Sequence, residues 1–286
     1  MYAPTFKTHL SKSCKQVFSC HHKTKLGSHS VIRHMPGSAH TYFVLSPPQR
    51  NIAKYFAVSL AVLLPCITFA TQTWQLPLRT IGQSMAFYFL ASLVTIFILA
   101  ADKTPSRFGA ANCITLLRLI ITAILASTIG FLHLIPIGGI WLLTALGTFA
   151  VVLDGVDGWI ARSMGLESKF GARFDMEVDA AFILVLSVIV WELPHIGPWV
   201  LIAGLLRYVF AAASWSLPAL RAPLPPSYRR KFICILQISA LILALCPLTS
   251  LEIGRPAVAI AVVLLLLSFI RDTLTLMHTT RRGLGG

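Results

Sequence analysis

From Tyr55 to Leu78 the chain carries no charged residue, and none appears between Thr80 and Ala101. Hydrocarbon offers backbone N–H and C=O groups no partner, so such runs fold as helices, which need about 20 residues to cross a bilayer core. With 56% hydrophobic and only 12% charged residues, the 286-residue chain holds more apolar side chain than one water-facing core buries. The expected fold class is therefore all-α, a polytopic integral membrane helical bundle.

After these two spans, the same reading places a third from about Ala111 to Phe131 and a fourth from about Gly138 into an acidic stretch. The fifth runs from Ala172 to Leu193, the sixth from Gly197 to Leu217, the seventh from Lys231 to Leu248 and the eighth from Pro256 to Met277. His133, Pro136 and Gly138 punctuate the turn between the third and fourth. Residues 1–50 are polar and basic, hold six of the nine histidines, and show no apolar periodicity. They predict a mobile cytoplasmic tail, with no apolar core of a signal peptide and a true start that lies at Met1 or downstream of it. Cys14, Cys20, His21 and His22 have the residue types of a metal site without its spacing. The six cysteines form no CxxC pair, so neither a disulfide framework nor a zinc site is implied.

The formal charge is +14, which in a soluble chain would raise nucleic-acid binding. In a membrane chain the positive-inside rule accounts for it without a nucleic-acid partner. Lys and Arg gather in the N-terminal tail, in every second link after it and at the C terminus, whereas the opposite links hold only Arg79 and Arg255. Both termini are thereby expected in the cytoplasm. The acidic stretch falls on the same side.

That stretch runs from Asp154 to Asp179 and contains Asp154, Asp157, Glu167, Asp175, Glu177 and Asp179, out of ten acidic residues in all. Carboxylates at or inside a membrane are costly, and their presence calls for a chemical role. At 3.6 residues per turn, Asp154, Asp157, Gly158 and Ala161 share an arc of about 100°, with Arg162 at its edge. On the next helix Gly171, Asp175 and Asp179 align at i, i+4 and i+8, while Glu177 points away. If the two helices are antiparallel neighbours, four carboxylates converge in a low dielectric and require cations. Such hard oxygen ligands suit Mg²⁺ or Mn²⁺, and a pair of ions suits in-line displacement at phosphorus. The small residues let a ligand approach the backbone, and Arg162 is placed to pair with phosphate.

Asp154, Asp157, Gly158, Ala161, Arg162, Gly171, Asp175 and Asp179 together meet the pattern D-x-x-D-G-x-x-A-R followed by G-x-x-x-D-x-x-x-D. In this the chain resembles the CDP-alcohol phosphatidyltransferases. The resemblance implies a six-helix core around a cavity open to the cytoplasm, at residues 108–278, with residues 51–107 as two additional spans and 279–286 as a tail. It implies metal ligation by Asp154, Asp157, Asp175 and Asp179, with Asp179 also the general base. Gly158, Ala161 and Gly171 would line the cytidine site, with Arg162 on the diphosphate. Asn112, Thr115 and Arg118 resemble the family's N-x-x-T-x-x-R. Asn112 and Arg118 then serve the nucleotide pocket or ordinary interhelical hydrogen bonding.

The implied reaction is attack by an alcohol on the lipid-linked phosphorus of CDP-diacylglycerol, releasing CMP, in an enzyme that is typically a homodimer. A shared motif leaves a second assignment open, in which a CDP-choline or CDP-ethanolamine donor meets diacylglycerol as acceptor. A cation transporter is a third reading, but it predicts acids spread through the membrane depth rather than at one level. Two readings also fit Arg207, which binds the acceptor or satisfies a carboxylate. Arg229, Arg230 and Lys231, with Gln237 on the face of Arg230, either hold an acceptor phosphate or anchor the cytoplasmic rim. Many family members that use glycerol 3-phosphate have Lys after the last aspartate, where this chain has Ala180.

Overall fold

The computed structural model describes residues 47–101, 109–163, 168–216 and 227–283. They belong to one compact unit, Leu45–Gly286. Pro47–Arg50, expected as the end of the N-terminal tail, instead form the first turn of α1, while the expectations for the rest of the tail and its His and Cys residues lie outside the described residues. Among those described, all regular structure is helical: α1 (Pro47–Thr73), α2 (Arg79–Ala101), α3 (Ala110–Ala126), α4 (Ile137–Ser163), α5 (Lys169–Trp191), α6 (Leu201–Ser216), α7 (Tyr228–Leu245) and α8 (Leu251–Gly283). Two single turns of 3₁₀ helix, Leu132–Leu134 and Pro198–Val200, join α3 to α4 and α5 to α6.

Local chemistry sets the boundaries. α1 stops at Thr73 rather than continuing to Leu78, because Gln75 takes φ 52° and Pro77 follows it. α3 ends at Ala126, short of Phe131, in a turn closed by Gly130 at φ 83°. α5 begins at Lys169, earlier than expected, because the Ser168 hydroxyl caps it by accepting from the Gly171 N–H at 2.9 Å. α8 starts at Leu251, ahead of Pro256, whose missing N–H costs only one bond so near the helix start.

Among the described residues, four segments are long and apolar enough to cross a membrane: Ala53–Thr73, Arg79–Phe97, Ile137–Gly158 and Leu251–Met277. Ala110–Ala126 and Pro198–Ala213 are apolar but shorter. The outer faces stay apolar: Phe69, Phe97, Val209 and Ile260 are each at least 60% exposed. An apolar surface on this scale suits a lipid environment.

α3 lies at the centre. It packs against α1, α2, α4 and α5, and α5 in turn packs on α6 and α7. One buried cluster joins Phe56, Tyr88, Leu119, Phe170, Phe174 and Val178 from α1, α2, α3 and α5. Another, built on residues such as Leu125, Leu143, Phe182, Leu186 and Leu241, fills the rest of the bundle. Polar side chains tie helices where apolar attraction has no advantage over lipid. The Ser84 hydroxyl donates to the Ala123 carbonyl at 2.8 Å, Gln83 Nε2 to the Ala126 carbonyl at 2.8 Å, and the Tyr88 hydroxyl to the Phe56 carbonyl at 2.9 Å. α1 and α2 are thereby fastened to the helix that enters the acidic site.

Gly204 marks a close contact between α6 and α5, since a Cβ there would lie 2.5 Å from Leu184 Cα. Gly204→Ala is expected to lower stability by about 1–3 kcal/mol through overpacking. Gly82, whose Cβ would meet nothing within 4 Å, should accept alanine without loss. Thermal unfolding of the two variants in detergent checks the contrast.

Candidate active site

Three helices supply the acidic site. α4 carries Asp154, Asp157 and Gly158, α5 carries Gly171, Asp175 and Asp179, and α3 carries Asn112, Thr115 and Arg118. Successive aspartates three or four residues apart on one helix necessarily share a face. What brings the two pairs together is α3. Among the described residues α4 and α5 hardly touch, whereas each packs extensively on α3. The half-sites thus converge against a third helix that the aspartate motif does not contain.

Arg118 makes the junction. Its side chain is 3% exposed, and Nη1 lies 3.0 Å from Asp154 Oδ1, 3.5 Å from Asp157 Oδ2 and 2.6 Å from Asp175 Oδ1. Nη2 donates to Asp179 Oδ1. Thr115, one turn earlier, donates its hydroxyl to Asp157 Oδ2 at 3.2 Å. Asp157 is itself buried, so this partnering matters. Asp154, Asp157 and Asp175 each present a carboxylate oxygen, all within 4.8 Å of one another. That set of hard oxygen donors fits a divalent cation such as Mg²⁺ or Mn²⁺.

Asn112 sits at the edge of this cluster, against the start of α5. A Cβ on Gly171 would lie 2.7 Å from Asn112 Oδ1 and 2.9 Å from Ser168 Oγ. The missing side chain is thus used first by the protein's own polar groups. Gly158 is half-buried one residue after Asp157. Ala161 and Arg162 belong to the last turns of α4, and the expectations for their side chains lie outside the described residues.

Asp179 also borders a cavity of about 470 Å³ between α5, α6, α7 and α8. Its volume falls in the range of small-molecule sites. Arg207 and Arg230 line it, and both meet carboxylates of this chain. Arg207 donates to Glu177, the acid that helical phase directs away from the other aspartates. Arg230 lies 3.7 Å from Asp272 Oδ2, and Arg229 donates to Asp272 Oδ1 and to Ser268 Oγ, both at 2.6 Å. Lys231 is exposed.

Asp272 and Ser268 are pocket residues that sequence reasoning passed over. The signal was present, because Asp272 is a carboxylate within the apolar membrane-length segment Leu251–Met277. Gln237 also lines the cavity, fully buried, and neither its amide oxygen nor its nitrogen has a hydrogen-bond partner.

The family model for CDP-alcohol phosphatidyltransferase matches residues 108–270, more than half of the chain. The chain belongs to the CDP-alcohol phosphatidyltransferase family, a family of membrane transferases. A CDP-diacylglycerol--glycerol-3-phosphate 3-phosphatidyltransferase of Cereibacter sphaeroides is 33% identical over 91 residues. That segment spans 32% of this chain and 40% of the relative, so less than half of the relative's length is matched. No solved structure matches.

Removing Arg118 would leave four converging carboxylates without their shared counter-ion. Arg118→Gln is expected to destabilise the metal-free protein by about 3–5 kcal/mol, the cost of breaking a buried ion cluster from one side. Thermal unfolding in the presence of a chelator measures it. Added Mn²⁺ should restore more stability to the variant than to the unaltered protein.

Proposed function

We propose that this protein transfers a phosphatidyl group from CDP-diacylglycerol to the hydroxyl of an alcohol, with release of CMP. The observation that carries this reading is the position of Asp179, which joins the carboxylate cluster on one side and borders the cavity on the other. A group so placed can act on a hydroxyl held in the cavity while the activated diphosphate lies against the cluster. Membership of the family supports the donor, and the relative's name supports a diacylglycerol nucleotide over a CDP-amino alcohol.

In this reading Asp154, Asp157 and Asp175, with Asp179, would hold two Mg²⁺ or Mn²⁺ ions. Bound there, such ions neutralise the diphosphate and stabilise the leaving CMP. Asn112 and Gly171 shape the nucleotide side, together with Gly158 and Ala161, and Arg162 holds the diphosphate. Asp179 takes the proton of the acceptor hydroxyl as its oxygen forms a bond to the lipid-linked phosphorus. The bond from that phosphorus to the CMP oxygen breaks, and CMP leaves with the electron pair.

α3–α8 form the catalytic unit, and α1 and α2 brace it through α3 and α5. The clustering of Lys and Arg in alternate links supports a site open to the cytoplasm, with both termini on that side. A homodimer is the assembly that the family resemblance favours.

Purified protein given CDP-diacylglycerol, Mn²⁺ and a panel of alcohols should release CMP and form the matching phospholipid. Asp179→Asn is expected to reduce turnover at least about 10²-fold by removing the base, with the helical fold retained by circular dichroism. Full activity in that variant would overturn the role of Asp179. Absence of CMP release with every alcohol would overturn the transferase reading.

A further inference from the structure

The carboxylates suited to a metal ion have a cation of the chain's own among them. Arg118 Nη1 stands 3.0 Å from Asp154 Oδ1, 3.5 Å from Asp157 Oδ2 and 2.6 Å from Asp175 Oδ1. One nitrogen therefore touches each of the three acids whose oxygens gather within 4.8 Å of one another. The same guanidinium reaches Asp179 through Nη2. Mg²⁺ draws its oxygen ligands in to about 2.0–2.1 Å and needs their lone pairs pointed at it. A guanidinium nitrogen among the same three carboxylates competes for those lone pairs and for that space.

The bonding of Arg118 is also incomplete. Its side chain is 3% exposed, and its Nε–H is buried with no hydrogen-bond partner. A buried N–H left unbonded is costly. An arginine that serves one carboxylate normally uses two parallel N–H groups on it. Arg118 instead spreads its two Nη groups over four acids and gives up the Nε bond. What holds it there is the summed negative charge of the cluster, and that charge is what a bound divalent ion offsets.

We infer that Arg118 is a built-in competitor of the metal ion, so that its guanidinium and a divalent cation take the same three carboxylates in turn and Arg118 sets the ion affinity of the site. This rests on the metal-dependent transferase reading above, and it gives Arg118 a part other than nucleotide binding or plain interhelical bonding. The alternative is an arginine that only holds the ligands in place. The two roles predict opposite signs: loss of a mere positioning residue weakens ion binding, whereas loss of a competitor strengthens it.

The test is Mn²⁺ binding to the purified protein in detergent, read from the electron paramagnetic resonance signal of free Mn²⁺, with no substrate added. Arg118→Gln should bind Mn²⁺ at least about tenfold more tightly than the unaltered protein, because a like charge is removed from contact with the site. Arg118→Lys keeps the charge and should stay close to the unaltered protein. Thr115→Val loosens Asp157 without changing any charge, and should not strengthen binding. Equal or weaker binding by Arg118→Gln, or equal strengthening by Thr115→Val, would overturn the inference and leave the transferase reading to stand on CMP release. Should Arg118→Gln fail to fold, the unaltered protein labelled with ¹⁵N-arginine gives a second measurement. Its Arg118 Nε–H resonance, identified by its absence from the Arg118→Lys spectrum, should shift as Mg²⁺ is added. A resonance that stays in place at saturating Mg²⁺ overturns the inference. Lack of Mn²⁺ binding by every form would overturn both the inference and the metal site on which it rests.

Discussion

One guanidinium among four carboxylates governs the arrangement of this protein. Asp154, Asp157, Asp175 and Asp179 all reach Arg118, at a depth where like charges repel strongly. Without a cation there, the two aspartate-bearing helices would be driven apart. With it, α4 and α5 are both held to α3, which in turn is held by α1 and α2 through hydrogen bonds such as that of Ser84 to the Ala123 carbonyl. The extra helices therefore bear on the acidic site both through α3 and directly on α5, where Phe56 packs against Phe174, the neighbour of Asp175.

A second set of ion pairs organises the neighbouring cavity. Glu177 faces Arg207, and Asp272 gathers Arg229 and Arg230. These pairs make the fold's charged residues do two different jobs. The aspartates on α4 and α5 form a concentrated acidic locus with a single arginine, suited to metal ions and diphosphate. Around the cavity three arginines meet two acids, and Gln237 is buried there with neither amide atom hydrogen-bonded. Asp179 lies on the boundary between the two electrostatic environments.

Much of this was legible before any coordinates. The uncharged runs required helices, and helical phase separated Glu177 from the other acids of its helix. Boundaries were legible to within a few residues, and the misses have local causes: the left-handed backbone at Gln75 and the Ser168 cap. Asp272 was visible as an acid in a segment of membrane-spanning length, yet its partners were not, since α7 and α8 meet through residues about forty positions apart. No periodicity within one helix encodes such a pairing.

The sequence by itself determined the helical class, the membrane-type surface, the family motif and the face of each helix that carries its carboxylates. Those follow from hydrophobic length and from the fixed angle between residues on one helix. Only the tertiary structure decided that α4 and α5 both pack on α3, and that Arg118 joins both halves. It also decided which acid neutralises which arginine around the cavity. The physical reason is that a helix fixes directions around its own axis, whereas which axes become neighbours depends on how all eight pack together.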